Sequence, residues 1–179
     1  MRLDRTSLWT SNSVELFLLE PEDVSLSYVS WLNDPMVNCY LESRFVHHTV
    51  ESTRVFVQQC LVHSETLFLG IRYFPSGSKH VGNIKLLINQ HHKTAEVGLL
   101  IGERNIWGRG VASSAIQMII NISKYELGLR RLTAGCYASN IGSQRAFEKA
   151  GFHVECQRKK HVLINGKPED IVLMGYFIY

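Results

Sequence analysis

An apolar run, Ala95-Glu96-Val97-Gly98-Leu99-Leu100-Ile101, leads into Asn105-Ile106-Trp107-Gly108-Arg109-Gly110 and then into a helical pattern that starts near Val111. No other stretch constrains the fold as strongly. A strand that ends in a two-glycine turn and feeds a helix leaves the first-turn N–H groups of that helix unpaired, and the helix dipole adds positive potential there. Such an end takes a phosphate or pyrophosphate. Gly108 and Gly110 let the backbone approach a ligand with no Cβ in between. A dinucleotide fingerprint would carry a third glycine at position 113 and an acidic residue about twenty further on. The chain has Ser113 and the pair Arg130-Arg131 instead. The Gly-Lys-Ser/Thr ending of a Walker loop is missing as well, so neither a dinucleotide nor ATP in its usual cradle is indicated.

A second motif follows: Asn140-Ile141-Gly142-Ser143-Gln144-Arg145-Ala146-Phe147-Glu148-Lys149-Ala150-Gly151-Phe152. Together the two segments resemble the acetyl-CoA signature of the GNAT acetyltransferase superfamily. Its glycine motif, Gln/Arg-x-x-Gly-x-Gly/Ala, reads here as Asn105-x-x-Gly108-x-Gly110. Its later motif reads as Asn140-x-x-Ser143 followed by Glu148-Lys149-x-Gly151-Phe152. The Trp107-Gly108-x-Gly110 wording and Ser143 look most like the RimJ/RimL branch. The resemblance is specific over residues 81–152. Two departures are Asn105, where Gln or Arg is usual, and Phe147, where many members carry a tyrosine assigned as general acid.

The resemblance implies a mixed, strongly twisted central α/β (α+β) sheet with helices on both faces. It implies acetyl-CoA as co-substrate, with its pyrophosphate over Asn105, Ile106, Trp107, Gly108, Arg109 and Gly110 and the first helical residues Val111 and Ala112. The pantetheine arm would run along Leu99, Leu100 and Ile101 like an added strand. Asn140 would hydrogen-bond that arm, Ser143 would lie near the sulfur, and Phe147 and Lys149 would complete the cofactor wall. Read without the resemblance, Asn140 is a helix N-cap, a role compatible with a ligand contact.

Acetyl transfer from a thioester to an amine needs a neutral amine and a polarised carbonyl, and holding both reactants together supplies much of the acceleration. Glu96 is the candidate base. It lies two residues before Gly98, on the same strand face, and GNAT members with an assigned glutamate base often carry it at a similar place. Proton delivery to the leaving thiolate falls to Tyr137 or Ser143, or to neither, because a thiol of pKa near 8.5 leaves tolerably unaided. Trp107 reads as packing rather than catalysis. The pairs His47-His48 and His91-His92 point apart on a strand, so no metal site is expected.

Acceptor recognition is expected on the aromatic and amide-rich segment from Tyr28 to Phe45, with Trp31, Asn33, Tyr40 and Arg44 as contacts. The superfamily resemblance places the first helices beside the acceptor slot. Arg44 is the candidate grip for an anionic group, since its fork suits phosphate. The Trp31-Leu32-Asn33-Asp34 wording looks like members that acetylate amino sugars on nucleotide carriers. The acceptor is thus a primary amine, either a protein N-terminus or a small amine such as a nucleotide-linked amino sugar. Phe147 and Asn105 keep a second reading open, a non-catalytic acyl-CoA-binding module on the same fold.

The length of 179 residues suits one domain over residues 1–179. A formal charge of +3 is too small to argue for nucleic acid. No run approaches the ~20 apolar residues of a membrane span, and Met1-Arg2-Leu3-Asp4-Arg5 lacks a leader's apolar core, so a cytoplasmic protein is expected. Cys39, Cys60, Cys136 and Cys156 form no Cys-x-x-Cys pair and read as reduced, mostly buried residues. Strands are expected at Val14–Leu19, Thr66–Phe74, His80–Ile88, Thr94–Ile101, Arg131–Tyr137, Phe152–Glu155 and Ile171–Tyr179. Helices are expected from Pro21 to about Leu32, after Thr49, from Val111 to Gly128, and from Asn140 to Gly151. Asn165-Gly166 reads as a turn.

Overall fold

The computed structural model describes residues 9–11 and 13–179. The Met1–Arg5 segment, read above as lacking a leader, lies outside the described residues. One eight-stranded sheet organises the described residues. Its strands are β1 (Trp9–Thr10), β2 (Val14–Leu18), β3 (Thr66–Tyr73), β4 (Lys79–Asn89), β5 (Thr94–Ile101), β6 (Arg131–Tyr137), β7 (His153–Ile164) and β8 (Lys167–Phe177), in the spatial order β1-β2-β3-β4-β5-β6-β8-β7. Only β5 and β6 run parallel; the other neighbours are antiparallel. The helices are α1 (Leu26–Asn33), α2 (Pro35–Asn38), α3 (Val50–Val62), α4 (Val111–Tyr125) and α5 (Ile141–Lys149).

Alternation along the strands divides the core between two faces. On one face Leu16, Leu69, Ile84, Leu86, Val97, Leu132 and Ala134 pack with Ala115, Ile116 and Ile119 of α4 and Phe147 of α5. On the other, Phe17, Leu19 and Phe68 pack with Tyr28, Trp31 and Leu32 of α1 and Val57 and Cys60 of α3. Helices therefore cover both faces, and the order β4-β5-α4-β6-α5-β7 follows the order of strands and helices expected around the two motifs. No helix among the described residues is long and apolar enough to cross a membrane.

Four elements differ from their sequence reading. Pro21–Asp23 is an isolated 3₁₀ turn, tied off by the Glu20 N–H donating to Asp23 Oδ2 at 2.9 Å. The helix proper starts later, because the Ser25 hydroxyl accepts from the Tyr28 N–H at 3.1 Å and so becomes its cap. Asn33-Asp34-Pro35 breaks that helix as expected, but Asp34 then caps the short α2 by accepting from the Met36 N–H at 2.9 Å. Helix α4 ends at Tyr125 rather than Gly128, with the Glu126 and Leu127 N–H groups both donating to Ile122 O at 3.0 Å. The last two strands form one long hairpin turned at Asn165-Gly166 (φ 50° and 75°). Its first strand is almost wholly exposed and so carries no apolar alternation to read.

Candidate active site

β5 and β6 pair only from Thr94–Glu96 to Arg131–Thr133. Beyond that point each strand stays with its other neighbour. β5 follows β4 as far as Gly82↔Ile101, and β6 follows β8 as far as Tyr137↔Ile171. The two strands therefore part, and the backbone edge of each that would have met the other is left open. A cleft of about 1220 Å³ occupies the gap, lined by residues 96–101 of β5, 133–137 of β6 and the first turns of α4 and α5. Gly98 and Gly135, each two residues past the last pair, leave the crotch bare of side chains; a Cβ at Gly98 would meet nothing within 4 Å.

One wall of the cleft is built for an anion. The chain leaves β5 through a 3₁₀ turn at Arg104–Ile106, whose Ile106 is buried. Trp107 clamps the turn by donating its indole N–H to Ile101 O at 2.9 Å. Gly108 and Gly110 then take φ values of 77° and 81°, a region costly for any side-chain-bearing residue. Gly110 is the N-cap of α4 and offers no side-chain cap, so the first-turn N–H groups remain available where Gly110, Val111, Ala112 and Ser113 line the cleft.

The opposite part of this wall comes from β6 and α5. Asn140 caps α5 by accepting from the Ser143 N–H at 3.2 Å, which leaves its Nδ2 group unspent. The Ser143 hydroxyl lies 3.3 Å from the Cys136 thiol. Burial pushes that thiol's pKa up, against the opposing pull of the Ser143 hydrogen bond. Phe147 is buried edge-on against Phe152 with ring centroids 5.0 Å apart, and it presents only carbon to the cleft.

Across the crotch the surroundings are polar. Glu96 stands exposed on β5, facing the cleft. The Tyr137 phenol donates to the Glu42 carboxylate and accepts from Arg44 Nη1 at 3.1 Å. Burial, then the Glu42 contact, raises the phenol's pKa, so it stays protonated through neutral pH. Tyr40 packs on Tyr137 with centroids 5.7 Å apart. Arg131 and Glu155 form an ion pair beside Thr133. Arg158 and His161, from β7, complete the lining.

A strand with an open edge at Leu99–Ile101 that leads through two glycines into an uncapped helix is the arrangement that the sequence resemblance implies. The family model for the "Acetyltransferase (GNAT) domain" matches residues 14–153. The chain belongs to the GNAT acetyltransferase family. Among curated relatives, the Bacillus subtilis (strain 168) protein named "Probable N-acetyltransferase YjcK" is 33% identical over 129 residues, 69% of this chain and 70% of that protein. Among solved structures, the spermidine N-acetyltransferase of Vibrio cholerae, in complex with CoA and spermine, superposes with a TM-score of 0.83 at 19% identity, over 94% of this chain and 97% of that one. Mycobacterium smegmatis RimJ, in complex with CoA-disulfide, gives a TM-score of 0.77 at 18% identity, over 92% and 81% of the two chains. At such identities these two likenesses describe the fold.

Most of the residues expected to contact the co-substrate come together around one cleft. Leu99, Leu100, Ile101, Ile106, Trp107, Gly108, Gly110, Val111, Ala112, Asn140, Ser143, Phe147 and Lys149 all line the cleft of this acetyltransferase. Asn105 and Arg109 belong to the same turn but lie outside the lining. Glu96 and Tyr137 also line it.

The acceptor expectations need correction. Of Trp31, Asn33, Tyr40 and Arg44, only Tyr40 reaches the cleft. Trp31 is buried in the core beneath α1, its ring against His80 at 5.2 Å. Asn33 spends its amide on Val29 O (3.1 Å) and His48 O (2.8 Å) and accepts from the His48 N–H (2.9 Å), so it is a loop clasp. Arg44 donates to Leu41 O (2.7 Å), Leu163 O (3.0 Å) and the Tyr137 hydroxyl, with Glu42 3.6 Å away; its guanidinium is committed to protein and not free for an anion. Sequence reasoning took in Glu42 only as part of the Tyr28–Phe45 segment and missed both Arg158 and His161. The only signal for the last two is the charge run Arg158-Lys159-Lys160-His161 ahead of the Asn165-Gly166 turn.

Proposed function

We propose that this chain works as one catalytic domain that moves an acetyl group from acetyl-CoA directly to a primary amine. The observation that carries the reading is the passage between β5 and β6, with the open N-terminus of α4 at one end and Glu96 across the crotch. The α4 donors and the two glycines suit a pyrophosphate, and the open edge at Leu99–Ile101 suits an amide-bearing arm that pairs like a strand. Bound acetyl-CoA would supply the thioester. Asn140 Nδ2 would hold the arm, and the Ser143 hydroxyl would border the sulfur. Glu96 would take the proton from the incoming ammonium, directly or through water. The freed amine forms an N–C bond to the acyl carbon as the C–S bond breaks; the nitrogen then gives up its second proton to solvent, and the leaving thiolate takes one from Ser143, Tyr137 or solvent, a side-chain donor being reprotonated from water. Between the two side chains geometry favours Ser143, because the phenol proton of Tyr137 already points at Glu42.

The acceptor is a protein N-terminal amine or a small amine. The Vibrio cholerae relative was solved with spermine; here Glu42, Glu96 and Glu155 share the lining with Arg131 and Arg158, so the wall is of mixed charge and does not single out a polyamine. Four free cysteines, two of them buried, fit a reducing, cytoplasmic setting.

The test is thiol release from acetyl-CoA over a panel of N-terminal peptides and small amines. Turnover on at least one class, with the product acetylated at nitrogen, is expected. Tight acetyl-CoA binding with no turnover on any amine would overturn the reading and leave a non-catalytic acyl-CoA-binding module.

A further inference from the structure

β7 is interrupted between Arg158 and Val162. Over those four residues its partner on β8 advances only from Ile171 to Glu169, so β7 bulges outward. Asp170 holds the bulge together. Its carboxylate accepts from the Gln157 side-chain amide (2.9 Å), Lys159 Nζ (2.9 Å) and the Lys160 N–H (2.7 Å), and Lys160 takes a left-handed φ of 52°. In an unbroken strand, residues three apart point to opposite faces. Here the bulge brings Arg158 and His161 to the wall of one cleft.

The charges around that wall are unequal. Arg44 has Glu42, Arg131 has Glu155 and Lys159 has Asp170. Among the described residues the Arg158 guanidinium has no such partner. An arginine fork left without an ion-pair partner on the wall of a substrate cleft, with a second nitrogen donor from His161 on the same lining, suits an oxyanion.

We propose that Arg158 and His161 form an anion subsite of the acceptor slot, so that the amine this enzyme acetylates carries a phosphate at some distance from the reacting nitrogen. The inference rests on the transfer reading for the side of the slot at which the amine sits. Glu96 and Arg158 are separated by three strand spacings and four residues of rise. That sets their Cα atoms on the order of 20 Å apart, with both side chains on the lining of the one cleft between them. An amine with its anion on a neighbouring atom cannot span this gap; an extended phosphorylated amine can.

The test uses 6-aminohexyl phosphate, 6-aminohexanol, 2-aminoethyl phosphate and a neutral peptide with a free N-terminus as acceptors, with CoA-saturated calorimetry beside the turnover assay. The wild type is expected to take 6-aminohexyl phosphate with a KM ~10–100-fold below that of 6-aminohexanol, the range of a charge-assisted hydrogen bond. Arg158→Ala should remove most of that preference by raising the KM for 6-aminohexyl phosphate towards that for 6-aminohexanol. Arg158→Lys should restore part of it, and Arg54→Ala, which removes a charge on α3 away from the cleft, should do nothing. Equal KM values for the two six-carbon amines, or a preference for the short phosphate or the neutral peptide, would overturn the subsite and leave the transfer reading standing. Calorimetric binding of 6-aminohexyl phosphate that depends on Arg158, with no product from it or from any other amine of the panel, would uphold the anion site and remove the transfer reading.

Discussion

The indole of Trp31 occupies the space that a side chain at Gly102 would need: a Cβ there would stand 1.9 Å from Trp31 Cδ2. Trp31 comes from α1 and Gly102 is the first residue past β5, so this contact fixes the helix layer to the strand end that feeds the anion turn. The indole N–H adds a hydrogen bond to Glu103 at 3.3 Å. Gly102→Ala should therefore overpack the joint, cost ~1–3 kcal/mol of stability and raise the KM for acetyl-CoA. Urea unfolding of the variant reads the first effect. An unchanged midpoint would mean that the joint yields freely.

At Gly110 the backbone, not crowding, sets the requirement, since a Cβ would find Ser113 Oγ no nearer than 3.8 Å at a φ of 81°. Gly110→Ala should cost about 1 kcal/mol of stability and weaken acetyl-CoA binding modestly. Gly110→Asp adds a carboxylate that caps the α4 donors and repels pyrophosphate, and should abolish binding. Calorimetry on the folded Asp variant decides the matter, and wild-type affinity there would move the pyrophosphate elsewhere.

Glu96→Gln is expected to lower kcat by ~10²–10⁴-fold, the usual share of a general base, with acetyl-CoA affinity unchanged. Because an N-terminal amine has a pKa near 8 and a lysine one near 10.4, the loss should shrink with rising pH and shrink sooner for a peptide terminus. A loss below threefold at neutral pH on a lysine-like amine would assign Glu96 a structural role only.

His80 supplies a pH dependence of stability that is separate from the cleft. Its ring sits among Phe17, Tyr28 and Trp31, and its Nε2 lies 2.9 Å from both Gly82 O and Asn83 Oδ1, which requires a proton on that nitrogen. Burial lowers its pKa, against weaker upward pulls from those two hydrogen bonds. The unfolded chain, with a histidine pKa near 6.5, therefore binds the proton first. Stability should be full above about pH 6.5 and fall as pH drops from there towards the lowered folded value. Urea midpoints between pH 7.5 and 5 should show this slope, and His80→Gln should flatten it. A wild-type midpoint that holds constant over the same window would refute the assignment.

What could be read from the chain alone was local. The β5–turn–α4 and β6–Asn140–α5 passages declare themselves because an apolar strand, two glycines and an Asx cap each act within a few residues of their neighbours. The acceptor side depends on distant partners. Trp31 and Asn33 look in sequence like recognition groups, but an aromatic or an amide has the same letter whether it lines a cleft or closes a core. Arg44 is claimed by Leu163, on the far hairpin, which no local pattern announces. The β7 bulge depends on Asp170 across the hairpin, so the facing of Arg158 and His161 is set by pairing register, not by spacing.

The same hairpin has a bearing on how copies of this chain behave in company. β7 is the last strand of the sheet, and its outer edge has no neighbour among the described residues. A long, flat edge of this kind would template another chain's strand and start a stack. Here the edge is buckled midway by the bulge and studded with Arg158, Lys159 and Lys160, so an incoming strand meets broken register and like charge. The distortion that brings Arg158 and His161 to the cleft wall is thus also a guard on the sheet edge, and straightening β7 should favour self-association as well as alter that wall.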